Sequence, residues 1–372
     1  MIRRFTPLVP ILPLILGLIA GCHAPEFNPT PTTAEADSLA DPLQLTHNFA
    51  RAGEAYFSPD MKWIIFQASV QPNEPYQMYL AQLKWDGDRI TGLNTPIRIT
   101  PNGSKNTCGY FSPDGNSVIF ASTATKAVPP DEANQQSGYQ RASGTYKWDM
   151  PTEMEIFRAD GWRGAVSAIP PGGSADLAKF PITHNDDYDA ECGYSPDGKW
   201  ILYSSRFQGD SELFVMKPDG SKQTRLTFTP GYDGGPFFSP DGRRIVYRSD
   251  RKGNNMLQVF TADLKFDANG DITGIANERQ LTHRLDTVNW GPYWYPSGRR
   301  IIWATSLHGH ANYELYLMRD DGTYKTRVTF TNGFDGLPVF SPDGRWLMWT
   351  TTRGPEKTSQ IWVARFRLPK GS

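Results

Sequence analysis

Residues 195–227 read SPDGKWILYSSRFQGDSELFVMKPDGSKQTRLT, and this stretch decides the fold. Ser195-Pro196-Asp197-Gly198 is a hairpin turn: Pro presets φ, Asp bonds back to nearby amides, and Gly takes the left-handed position that closes the loop. A β-branched and aromatic run, Trp200-Ile201-Leu202-Tyr203, follows as a strand. Glu212-Leu213-Phe214-Val215-Met216 reads as a third strand, Asp219-Gly220 as the next turn, and Leu226-Thr227 as the end of a fourth.

Working outward, the same turn recurs at Ser58-Pro59-Asp60-Met61, Ser112-Pro113-Asp114-Gly115, Ser239-Pro240-Asp241-Gly242, Tyr295-Pro296-Ser297-Gly298 and Ser341-Pro342-Asp343-Gly344. Met61 stands where Gly is wanted, so strain of about 1–2 kcal/mol is expected there. Third-to-fourth-strand turns recur at Asp86-Gly87, Asp160-Gly161, Asn269-Gly270 and Asp321-Gly322. Four antiparallel strands per repeat, six times over, predict an all-β, six-bladed propeller. The last repeat lacks a fourth strand, because Gln360 to Phe366 runs into the C-terminus. Leu43-Gln44-Leu45-Thr46 carries the fourth-strand ending before any blade begins, so the N-terminal strand should close the sixth blade.

These hairpins, followed by Glu-Leu-(Tyr/Phe)-(Val/Leu)-Met and Leu-Thr, resemble the TolB-like, WD-type β-propeller repeats of exported bacterial proteins. The resemblance covers about residues 43–366. It implies a TolB-like scaffold that holds a protein or peptide partner in the cell envelope.

The N-terminus carries its own message. Arg3 and Arg4 precede an apolar stretch, Pro7 to Ala20, that ends in small residues before Cys22, as a secretory signal does. Leu18-Ile19-Ala20-Gly21-Cys22 looks like a bacterial lipobox, which implies a signal peptide over 1–21 and lipidation at Cys22. His23 after the cysteine favours the outer membrane, facing the periplasm or the surface. Residues 22–42, rich in Pro, Thr, Ala and acids, read as a flexible tether, 43–366 as the propeller and 367–372 as a tail. The net charge of −1, without a basic block, excludes nucleic acid, and a monomer tied to the membrane only by its anchor is expected.

Loops joining one blade's outer strand to the next inner strand gather at one mouth of the channel. Together these six loops carry a charge of −5, of which the segment 184–191 alone contributes −4 through Asp186, Asp187, Asp189 and Glu191. Seven residues before the repeat Pro stand Asn106, Asp189, Asp233, Asn289 and Asp335. Tyr188, Tyr232 and Phe334 precede three of them, Glu54 matches Glu191 in the first blade, and Asp286 joins the same loops. One reading is an acidic, aromatic-lined mouth for a partner. The other is that each Asp or Asn caps its own turn.

His47, His184 and His283 fall in alternate blades, too far apart for one tetrahedral site, and no metal or cofactor is expected. Neither a Gly-x-Ser-x-Gly elbow nor a His-Glu-x-x-His helix occurs, so the expectation is a non-enzymatic binder. A carbohydrate-active lyase or hydrolase using mouth carboxylates, or a small-ligand sensor, are the alternatives. Cys108 and Cys192 begin adjacent inner strands one step out of register, which favours free thiols over a disulfide. An insert near 124–153, bearing Tyr139, Tyr146 and Trp148, is a second candidate surface.

Overall fold

The computed structural model describes residues 35–125, 150–207 and 209–369. Cys22, the signal segment and most of the 124–153 insert lie outside them. Six antiparallel sheets form the six blades. Their inner strands are Arg51–Phe57, Asn106–Phe111, Asp189–Tyr194, Asp233–Phe238, Asn289–Trp294 and Asp335–Phe340.

The repeated turn works as its chemistry predicts. In five blades the Ser hydroxyl donates to the Asp carboxylate two residues on. The same oxygen accepts a backbone N–H five residues ahead. The fifth blade has Tyr295 in place of Ser, and its ring packs edge-on against Phe340 at 4.9 Å instead. Met61 adopts φ 57°, the strained left-handed conformation expected of it.

The Leu-Thr ending also acquires a mechanism. In every blade its Thr hydroxyl accepts the backbone N–H of the second third-strand residue. The donors Met78, Ile156, Leu213, Val259 and Leu315 meet Thr100, Thr183, Thr227, Thr282 and Thr329. In the sixth blade Ile361 donates to Thr46 in the same way, at 2.9 Å. The N-terminal strand Leu39–Gln44 pairs with Gln360–Phe366, so the ring is closed by the chain's first strand.

That strand begins four residues earlier than expected, and a helical turn, Glu35–Ser38, precedes it. Glu35 is held by Arg353 at 2.6 Å and accepts the Phe330 N–H, so the later part of the proposed tether is docked. Ion pairing and strand addition outweigh a composition that reads as loose chain. Blade two departs too. After Asp160-Gly161 the chain forms a short helix, Trp162–Ser167, instead of a hairpin. Trp162 is fully buried and donates to the Gly115 carbonyl, and the chain returns at Thr183.

Apolar strand residues such as Ile64, Ile119, Leu202, Ile245, Ile302 and Leu347 are fully buried, filling the spaces within and between sheets. Each such side chain contributes on the order of 2 kcal/mol. No helix of the described residues is long and apolar enough to cross a membrane.

Candidate functional site

The inner strands share one irregularity. In each, the register shifts at a bulge just after the strand's first residues. The residue five before the repeat Pro is left-handed in all six: Glu54, Cys108, Glu191, Gly235, Gly291 and Leu337, with φ of 47–56°. Four of the six are not glycine. A non-glycine residue there costs about 1–2 kcal/mol, and such strain collects where side chains have a task.

Glu191 is the best furnished of the ring. Its carboxylate accepts from Tyr232 Oη at 2.8 Å, the Gly235 N–H at 2.8 Å and Ser204 Oγ at 2.9 Å. Arg248 adds a guanidinium contact at 2.5 Å and also donates to Tyr232 Oη at 2.7 Å. The ion pair is almost dry, with the two side chains only 6% and 10% exposed. Trp290 flanks the guanidinium at 5.7 Å. Space for this cluster comes from Gly234 and Gly235. A Cβ on the first would collide with Tyr232 and Glu191, and on the second with the guanidinium.

Glu54 faces the same space. Tyr56 Oη and Thr107 Oγ1 donate to it at 3.4 Å, and its N–H donates to Thr350. Burial, reinforced by the nearby Glu191 charge, raises its pKa. Cys108 and Cys192 are free and buried, and desolvation raises the pKa of both thiols.

Other expected site residues fall elsewhere. Asp186 is exposed and Asp187 half-buried, its Oδ1 capping the Tyr188 N–H. Asp286 is exposed but paired with Arg284 at 2.7 Å, so its charge is largely cancelled. Tyr188, Tyr232 and Phe334 are buried within hydrophobic clusters and do not form a surface lining.

Asp189, Asp233, Asn289 and Asp335 are buried as well, none more than 4% exposed, and offer nothing to a partner. They neither line the mouth nor merely cap their own turns; they join blades. Their N–H groups donate to Met154, Ser211, Leu257 and Tyr313 of the preceding blade. Asn289 donates to Gln258 there, whereas Asp189, Asp233 and Asp335 meet the acids Glu155, Glu212 and Glu314. Desolvation, with the neighbouring acid as a further cause, raises Asp189 to about 7, Asp233 to about 6 and Glu314 to about 7.

Sequence reasoning missed Arg248. Its position in the second strands of the other blades holds Ala68, Ala121, Ser204, Ala304 and Thr350. One Arg among five small residues, opposite Gly234, was the available signal.

At the opposite end the channel is plugged. Tyr56, Tyr110, Phe237 and Tyr293, each three residues before the repeat Pro, meet with ring centroids 4.9–6.4 Å apart. Outside this plug lies a depression of about 330 Å³, rimmed by all six repeat prolines. Among the described residues, no group of three or more His, Cys, Asp or Glu is placed to hold a metal ion.

Six antiparallel sheets of three to five strands, a closing first strand and a plugged axial channel define the class: a six-bladed β-propeller. A family model for the TolB β-propeller domain matches residues 181–278. A TolB homolog of Chlorobium luteolum is 34% identical over 82 residues, 22% of this chain and 18% of that protein. An uncharacterized protein of Agrobacterium fabrum is 32% identical over 87 residues, 23% of this chain and 28% of its own length. The chain thus matches well under a third of these relatives' lengths. A solved structure assigned as TolB from Agrobacterium tumefaciens is similar at TM-score 0.51 and 20% identity, covering 85% of this chain and 91% of the other. TolB from Acinetobacter baumannii gives 0.50 and 18%, covering 86% and 65%. The match to the TolB β-propeller domain is thus confined to residues 181–278, while the propeller fold is shared along most of the chain.

Proposed function

We propose that the chain is an exported envelope lipoprotein, anchored through Cys22, whose propeller binds a basic protein or peptide partner without catalysis. The binding face is the mouth formed by the blade-connecting loops. One observation carries the reading: the bulge ring accepts backbone strain to set Glu54 and Glu191 into the channel, below a loop whose outward-facing carboxylates are Asp186 and Asp187. Asp186 is exposed and Asp187 half-buried, so a partner at the mouth meets these two carboxylates first. Acidic clefts with low-dielectric walls attract cationic partners and hasten their encounter.

The state of Glu191 argues for binding over turnover. A carboxylate that accepts from four donors, one of them a guanidinium, has its lone pairs engaged and is poorly placed to take a proton from a substrate. The relatives that match in sequence support the reading only in so far as one of them is a TolB homolog.

Crosslinking and co-purification from intact envelopes test the proposal, comparing wild type with Asp186→Asn/Asp187→Asn. The wild type should capture one stoichiometric partner whose contact surface is basic, and the folded variant should lose at least tenfold of it. Equal capture by both proteins would remove the acidic mouth from the interface.

A further inference from the structure

We propose that the depression at the Ser-Pro-Asp-Gly end of the channel is a binding pocket for a small, uncharged ring compound, seated over Gly193. The pocket belongs to the opposite end of the propeller from the acidic mouth and does not depend on any partner there.

Its shape follows from the repeat. Three residues before each repeat Pro, the blades place Tyr56, Tyr110, Gly193, Phe237, Tyr293 and Val339 in turn. Four of these place rings that meet across the axis; the third blade carries no side chain there. Nothing local demands that vacancy. The backbone of Gly193 is not left-handed, so any residue could adopt it. A Cβ added there would meet only Phe237 Cδ1, at an ordinary 3.9 Å. Neither strain nor crowding by a Cβ therefore accounts for the glycine, whereas four of the other five blades fill the same position with a ring. What the glycine does is leave room, and the room is part of the depression of about 330 Å³.

The lining sets the ligand's chemistry. No charged side chain lines the pocket; its walls are aromatic rings and prolines, with Ser195 and Ser341 among them. The polar handles are engaged elsewhere. Tyr110 and Tyr293 hydroxyls face each other at 3.3 Å, and Tyr56 reaches back to Glu54. Ser195 and Ser341 donate to Asp197 and Asp343 within their own turns. A group entering here finds C–H and π faces and few free hydrogen-bond partners, so a formal charge would be desolvated without compensation. The volume lies at the lower end of small-molecule sites, enough for one ring system with a short substituent. Such a ring could arrive as a free compound or as the side chain of a peptide, and the test separates the two.

The experiment is ligand-observed saturation-transfer NMR with calorimetric titration of indole, N-acetyltryptophanamide and benzoate against the full chain, wild type, Gly193→Ala and Gly193→Leu. Saturable indole binding by wild type is expected, at least tenfold weaker in Gly193→Leu and intermediate in Gly193→Ala. Gly193→Ala should not lower Tm, because its Cβ meets only Phe237 at an ordinary contact distance. Benzoate, an aromatic ring bearing a charge, should bind at least tenfold more weakly than indole. Tighter binding of the blocked amino acid than of indole assigns the site to a peptide side chain; the reverse assigns it to a free compound. Absence of binding by wild type, equal indole affinity in wild type and the variants, or benzoate binding as tightly as indole would each overturn the proposal. Should Gly193→Leu fail to fold, Gly193→Ala alone decides, with at least a threefold loss expected.

Discussion

Replacing Asp189 with Asn should make the propeller more stable in mild alkali while leaving it nearly unchanged in acid. Asp189 is fully buried at the joint between blades two and three, where Glu155 is buried beside it. Desolvation first, and the Glu155 charge among the lesser causes, raises its pKa to about 7 from an ordinary 3.8. A raised folded-state pKa means that the stabilising contribution is complete below about pH 4 and is lost as pH climbs through 7. The shift of about three units corresponds to a ceiling of about 4 kcal/mol. Relaxation around Asn185, which donates to Asp189 at 2.6 Å, should leave roughly half of that, about 2 kcal/mol. Asparagine supplies a donor toward Glu155 and does not titrate, the arrangement blade five already uses in its Asn289–Gln258 contact. At about 2 °C per kcal/mol for a chain of this size, the variant should gain about 4 °C in Tm at pH 8 relative to pH 4.5. Differential scanning calorimetry of wild type and Asp189→Asn across that range measures it. Parallel Tm profiles for the two proteins would refute the reasoning, since the pH dependence would then arise elsewhere.

Arg248→Met should cost about 3–5 kcal/mol in urea unfolding by stranding Glu191 in the channel, and adding Glu191→Gln should recover part of the loss. No recovery in the double variant would show that the arginine acts by packing alone. Gly242→Ala should cost about 1–2 kcal/mol for forcing a side chain into a left-handed turn, with Met61→Gly gaining less than about 1 kcal/mol, both read from the denaturant midpoint. A neutral Gly242→Ala would mean that the turn relaxes at no cost. In a Cys22→Ser background, neither Cys108 nor Cys192 should react with a thiol reagent at pH 8 while folded, and both should react once denatured without reductant. Two unreactive thiols in the denatured, non-reduced chain would instead reveal a disulfide.

What could be read from the sequence was what short-range chemistry controls. Ser-Pro-Asp-Gly dictates its turn within a few residues, and Leu-Thr marks a hydrogen bond made at the same place in every blade, which is why Thr46 disclosed the closing strand. The polar residue seven before five of the six repeat prolines misled, because its partner lies in the preceding blade. Asp189 answers Glu155, and Asn289 answers Gln258, only after the sheets pack, so an acid that looked available to a partner is an internal joint. Arg248 escaped notice for a related reason. Strand-two residues repeat as small or apolar, and a lone arginine gains meaning only when Gly234 and Gly235 are found opposite. The helix after Asp160-Gly161 was hidden by a turn dipeptide that serves hairpins elsewhere in the chain.

The closing strand leaves the ring with a seam instead of two ends. Arg367 donates its N–H to the Ser38 carbonyl at 2.9 Å, so the first and last described strands finish side by side. Joining the chain there with a short linker and cutting it at another blade's outer turn would move the seam to a new place in the circle without altering any sheet. The same adjacency fixes the route of mechanical load. A pull on the N-terminal side passes first through the Glu35–Arg353 clasp and then along the strand that holds the circle shut, before any other blade feels it.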